Sequence, residues 1–164
     1  MMPRVLFVCT GNICRSPMAE AVLRSELHAR AAHDSWEVGS AGVKAEAGAA
    51  ATDHAVQAMD EYGYALHDHR ARRLTRAQVE AADLILVMTD RHKETVSRRY
   101  PAHAHKVRLL SEMSGQHFDV GDPYGAPLLQ YRSTAAQIIQ LVREGYANIL
   151  RSARRNARQG ARKS

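Results

Sequence analysis

Cysteine is nearly missing from this chain, with two residues in 164, and both fall in one short stretch, at Cys9 and Cys14. That excludes a structural disulfide framework, and two thiols without histidine at ligand spacing do not make a zinc site. Long apolar runs are missing as well. No stretch approaches the roughly 20 residues of a transmembrane helix, and the N-terminal apolar run is too short for a signal peptide. A cytoplasmic, reducing setting is therefore expected, and it suits a free thiol. The chain has no internal repeat and no linker, so its 164 residues are expected to form one domain around a proper core. With 45% hydrophobic and 24% charged residues, it falls among ordinary globular proteins.

Acid is what the last residues lack. Residues 151–164 hold Arg151, Arg154, Arg155, Arg158, Arg162 and Lys163 and no Asp or Glu. Those cations account for the whole formal net charge of +6, which leaves residues 1–150 formally neutral. The expected division is a single domain over 1–150 and a basic C-terminal tail over 151–164. The tail is read as a solvated end that frays from the last helix and aids solubility. It does not by itself argue for nucleic-acid binding. Nine histidines include the pairs His67/His69 and His103/His105, but neither pair has a second cluster at ligand spacing. No metal and no cofactor are expected.

What is present centres on residues 5–20. Val5 to Val8 read as a buried strand, Cys9 to Arg15 turn over Gly11 and Asn12, and Ser16-Pro17 opens a helix. Ser16 is expected at the N-cap and Pro17 at the first helical position. Strand, tight loop and helix start together aim backbone N–H groups and the positive end of a helix dipole at one point, which makes an anion site. Cys9 opens this loop, where a helix N-terminus and a nearby cation favour its thiolate. Arg15 closes it with a planar fork that matches two phosphate oxygens.

Further strands are expected at Trp36–Ser40, Asp83–Met88 and Lys106–Leu110. Helices are expected from Ser16 to about Arg30, at Asp53–Tyr62, from a Thr75/Gln78 capping box to Ala82, at Asp90–Arg98 and at Leu128–Arg151. Strands alternating with helices predict an α/β fold, a parallel sheet with helices on both faces. Ligands of such sheets bind beyond the carboxyl ends of the strands, which is where both the Cys9 loop and the segment around Asp122 would lie.

The run Cys9-Thr-Gly-Asn-Ile-Cys-Arg-Ser-Pro17, with the distant Asp122-Pro123-Tyr124, resembles the low-molecular-weight protein-tyrosine phosphatases over about residues 3–150. The resemblance implies a three-layer, flavodoxin-like fold whose four-stranded sheet has the order 2-1-3-4. It implies Cys9 as the nucleophile that forms a phosphocysteine, Arg15 as the clamp on the phosphoryl oxygens, and Asp122 as general acid and then base. Thr10, Gly11, Asn12, Ile13, Cys14, Arg15 and Ser16 would wrap the phosphate. Ser16 would donate to the Cys9 sulfur, and Asn12, in a left-handed conformation, would be oriented by His69 with Ser40 in support. Cys14 matches the family's second loop thiol, able to close a reversible disulfide with Cys9 or simply to pack under the loop.

The implied partner is a phosphorylated protein, met by a monomer or weak dimer without a membrane. Ile13 and Tyr124 are expected to line an apolar slot for an aromatic ring, which favours phosphotyrosine. The segments Met88-Thr-Asp-Arg-His-Lys93 and Asp122-Pro-Tyr-Gly125 also resemble a bacterial branch acting on phosphoarginine, in which Thr replaces the residue here occupied by Ile13. Arsenate reductases of this fold need further cysteines, and none follows Cys14. A non-catalytic phosphate-binding module would be expected to lack Cys9 or Asp122.

Overall fold

A computed structural model describes residues 1–164. Four strands form one parallel sheet: β1 (Arg4–Cys9), β2 (Glu37–Gly42), β3 (Leu84–Val87) and β4 (Val107–Leu109), in the order β2-β1-β3-β4. β1 lies at the centre, with Val5 level with Val38 on one side and Leu84 on the other. Alternating side chains along β1 feed two separate cores. Val5, Phe7, Leu84 and Leu86 pack under helices α1 (Arg15–Ala29), α2 (Asp53–Glu61) and α5 (Leu128–Lys163). Leu6, Val8, Ile85, Val87 and Leu109 face Val79 of α3 (Arg76–Ala81) and Val96 of α4 (Asp90–Arg99). The result is the expected three-layer sandwich of strand order 2-1-3-4.

Besides shifts of one or two residues at strand ends, three differences from the sequence expectation have a physical reason. The last helix does not end near Arg151 but continues to Lys163, so the boundary drawn at residue 150 falls inside it. Ala153 and Ala157 are buried on its inner face, Asn156 Nδ2 donates to the Asp83 carbonyl (2.9 Å), and the Arg154 guanidinium sits over the Trp36 ring at 5.1 Å. Small residues at helical spacing, hidden among the arginines, carry the helix onward. The first helix begins at Arg15, so Ser16 is not its N-cap: Cys14 occupies that position and no side chain caps it. Ser16 is inside the first turn, with its hydroxyl committed to the loop. Pro17 is still harmless, because first-turn N–H groups have no helical acceptor. Lys106 lies outside β4 at the end of a 3-10 turn. Its ammonium reaches the last carbonyls of α3 instead, donating to Val79, Glu80 and Ala82.

Candidate active site

β1 runs straight into the reactive loop, so Cys9 is delivered by the most constrained strand in the molecule and is itself buried. The loop is held from outside by backbone bonds: Val43 N–H donates to the Cys9 carbonyl (3.0 Å), Lys44 N–H to that of Thr10 (2.9 Å) and Thr52 N–H to that of Ile13 (3.1 Å). Gly42 makes this close approach possible, since a Cβ there would stand 2.5 Å from the Thr10 carbonyl oxygen.

Asn12 is the pivot. Its φ is 55°, the left-handed conformation that suits Asn better than most residues. Its side-chain oxygen accepts from the Arg72 N–H (2.8 Å), which turns its amide nitrogen toward Ser16 Oγ (2.8 Å) and Ser40 Oγ (2.9 Å). Because Ser16 Oγ already accepts from Asn12, its own proton is free for Cys9 Sγ, 2.9 Å away. His69 Nε2 donates to the Asn12 backbone carbonyl at 2.6 Å, so His69 holds the loop backbone, while Arg72 and Ser40 orient the amide.

Arg15 is buried to 3% exposure. Its Nη1 donates to the Val120 carbonyl (2.9 Å) and its Nη2 lies 3.4 Å from Asp122 Oδ2. Nε is buried with no partner at all, an N–H donor facing the price of desolvation alone. Asp122 is half exposed, and its Oδ1 accepts from the Tyr124 N–H (3.1 Å), which turns the carboxylate inward toward Arg15. The sheet thus brings Asp122 to Arg15 across the loop, as strands sharing one carboxyl edge allow. Tyr124 itself is 68% exposed and Ile13 is half-buried, packed against the larger core.

Beneath the loop, Cys14 Sγ accepts from the Tyr131 hydroxyl (3.8 Å) and lies 3.4 Å from Thr52 Oγ1, and burial pushes its thiol up. Both cysteines are free thiols. Four neighbours escaped the sequence reading, His92 first among them. His92 is buried with Nε2 2.8 Å from Thr10 Oγ1, and desolvation, helped by the charge of Arg15, lowers its pKa to about 4. A neutral imidazole thus props Thr10, the first residue after Cys9. A lone histidine on a helix five residues after a strand carries no signal of this in sequence; Thr52, Arg72 and Val120 were equally silent. No three His, Cys, Asp or Glu side chains converge as a metal site would require, and no helix is long and apolar enough to cross a membrane.

The family model for "Low molecular weight phosphotyrosine protein phosphatase" matches residues 4–157. A protein-arginine-phosphatase of Bacillus subtilis is 40% identical over 141 residues, covering 85% of this chain and 92% of that protein. A probable low molecular weight protein-tyrosine-phosphatase, EpsP, of Ralstonia nicotianae is 41% identical over 140 residues, covering 85% and 90%. Among solved structures, the low molecular weight protein tyrosine phosphatase of T. tengcongensis superposes with a TM-score of 0.84 at 41% identity, over 89% of this chain and 99% of that one. The YwlE arginine phosphatase of Geobacillus stearothermophilus gives 0.82 at 36%, over 92% and 94%. Sequence and fold agree across nearly the whole length, and the chain belongs to the low molecular weight phosphotyrosine protein phosphatase family, whose members are cysteine-based hydrolases.

Proposed function

We propose that this chain hydrolyses phosphotyrosine in proteins, with Cys9, Arg15 and Asp122 as its catalytic residues. The observation that carries the reading is the contact set of Arg15: one arm on the Val120 carbonyl, one on Asp122, and a buried Nε left with a donor to give. A phosphoryl group seated in the loop would receive that donor and the N–H groups of residues 10–16 on the oxygens over which transition-state charge spreads. Cys9 sulfur attacks phosphorus in line and Asp122 protonates the departing phenolic oxygen. Asp122 then takes a proton from water, which attacks the phosphocysteine and frees phosphate. The incoming dianion competes with Asp122 for the guanidinium.

Ile13 decides between leaving groups. Half-buried at the loop and offering only apolar surface, it suits a phenyl ring better than a guanidinium. Tyr124, exposed on the Asp122 loop, is available as the opposite wall. The second reading, phosphoarginine, is favoured by the arginine phosphatases among the relatives. Both substrates are phosphorylated proteins, and the setting proposed is the cytoplasm, with the chain as a monomer or weak dimer and two thiols to keep reduced.

Side-by-side hydrolysis of phosphotyrosine and phosphoarginine peptides by the wild type and Ile13→Thr tests the choice. The wild type is expected to prefer phosphotyrosine, and the substitution to move the preference toward phosphoarginine by about tenfold, the scale set by one hydroxyl in a pocket. Equal or reversed wild-type rates would overturn the assignment.

A further inference from the structure

Next to the reactive loop, on the Thr10 side, a second cavity of about 400 Å³ opens between the segment following β2 and helix α4. Its lining includes Thr10, His92, Lys44, Arg91, Arg98 and Arg99, and no carboxylate. Two of these cations have structural employment. Arg98 pairs with Glu94 one turn away, and Arg99 Nη1 donates to the Val43 carbonyl at 3.2 Å. Both also stand in the last turn of α4, where the helix dipole welcomes positive charge. Lys44 and Arg91 have no such explanation. Neither side chain makes a hydrogen bond or ion pair, and Arg91 is the second residue of α4, at the end of the dipole that repels a cation.

The cavity is also tied rigidly to the nucleophile. Val43 and Lys44 donate backbone bonds to the carbonyls of Cys9 and Thr10, and the Thr10 hydroxyl meets His92 on the cavity wall. Whatever occupies it is placed at a fixed distance from a phosphorylated residue bound at Cys9. From Arg91 to Arg98 the helix advances about 10 Å, the length of roughly three extended residues.

We propose that this cavity is a substrate subsite which takes the carboxylate of an Asp or Glu lying one to three residues from the phosphorylated residue, with Lys44 and Arg91 as its cationic contacts. The inference rests on the reading of the Cys9 loop as the phosphate site. It makes the enzyme selective for phosphorylated residues in acidic surroundings, and the selection acts through capture of the peptide rather than through the chemical step.

The test compares phosphotyrosine peptides flanked on both sides by Asp, Ala or Lys, with a small aryl phosphate as reference. Wild type, Lys44→Gln/Arg91→Gln and Lys44→Glu/Arg91→Glu are measured at low and at high salt. Wild type is expected to show kcat/KM about tenfold higher on the Asp-flanked peptide than on the Ala-flanked one, mostly through KM. The advantage should shrink as salt screens exposed charges. The neutral pair should abolish it and the reversed pair should transfer it to the Lys-flanked peptide, while aryl phosphate turnover, which reports folding and an intact loop, stays within about twofold. Equal wild-type rates on the three peptides, or an acid preference that survives charge reversal, would overturn the subsite. Loss of aryl phosphate turnover in wild type would instead overturn the phosphatase reading itself.

Discussion

The two edges of the sheet treat their buried polar groups in opposite ways. At the amino edge Lys106 spends its ammonium on three carbonyls at the end of α3, at 2.8, 3.2 and 2.7 Å, and Asn156 and the Arg4 N–H both find Asp83. No buried side-chain donor there lacks an acceptor. At the carboxyl edge lie the only two buried side-chain atoms without a partner, Arg15 Nε and His92 Nδ1. One edge has its buried side-chain polar groups paired, whereas the other keeps a guanidinium donor and a ring nitrogen without partners. The lesson is that unmet hydrogen-bonding capacity is concentrated around one loop, the one proposed to hold phosphate.

The contrast breaks most visibly at Cys9. Cys9→Ser should lower aryl phosphate turnover by at least about a thousandfold while leaving the denaturation midpoint nearly unchanged, since sulfur is exchanged for oxygen within the same hydrogen-bond network. Mass spectrometry of the quenched wild type should find phosphate on Cys9, and its absence would remove the covalent mechanism. Asp122→Ala should cost about a hundredfold or more with poor leaving groups and far less with good ones, a difference read from a leaving-group series. A uniform loss across the series would deny Asp122 the role of acid.

At the other edge the expected pattern inverts. Lys106→Met should destabilise the protein by about 2–3 kcal/mol, because three helix-end carbonyls lose their donor. Urea unfolding measures this, and kcat should stay within about twofold. A comparable fall in kcat would show that the two edges are not independent.

His92 sharpens the comparison through pH. Its folded value, about 4, lies below the ordinary value of 6.5, chiefly because burial disfavours the imidazolium. Between those values the unfolded chain binds more protons than the folded one, so stability rises as pH climbs from about 4 to 6.5 and is lost on the way down. His92→Gln should flatten that segment of the stability-versus-pH curve by roughly 2 kcal/mol, followed by denaturation at a series of pH values. An unchanged slope would mean that the histidine is not held neutral by the loop.

Much of this was legible in the chain. The apolar run of β1, the turn over Gly11 and Asn12, the Thr75/Gln78 capping box and the alternation of strand with helix are local patterns, and the structure contains each of them. The paired Cys9 and Arg15 were readable for the same reason, being six positions apart on one short loop. Ser16 was readable as a partner of Cys9 but misjudged as a cap, because the helix starts two residues earlier than expected. The end of α5 was misjudged because the arginines mask the alanine stripe that packs inward.

The sequence by itself determined the strands, the turn over Gly11 and Asn12 and the pairing of a thiol with a guanidinium on it, since all of these depend on neighbours along the chain. Only the tertiary structure decided that His92 props Thr10, that Arg72 turns the Asn12 amide, that Val120 and Asp122 share Arg15, and that Lys44 meets Arg91 across a cavity. Those contacts join residues dozens of positions apart, and their partners are chosen by the parallel sheet that brings its strand ends to one edge, not by any pattern a linear chain displays.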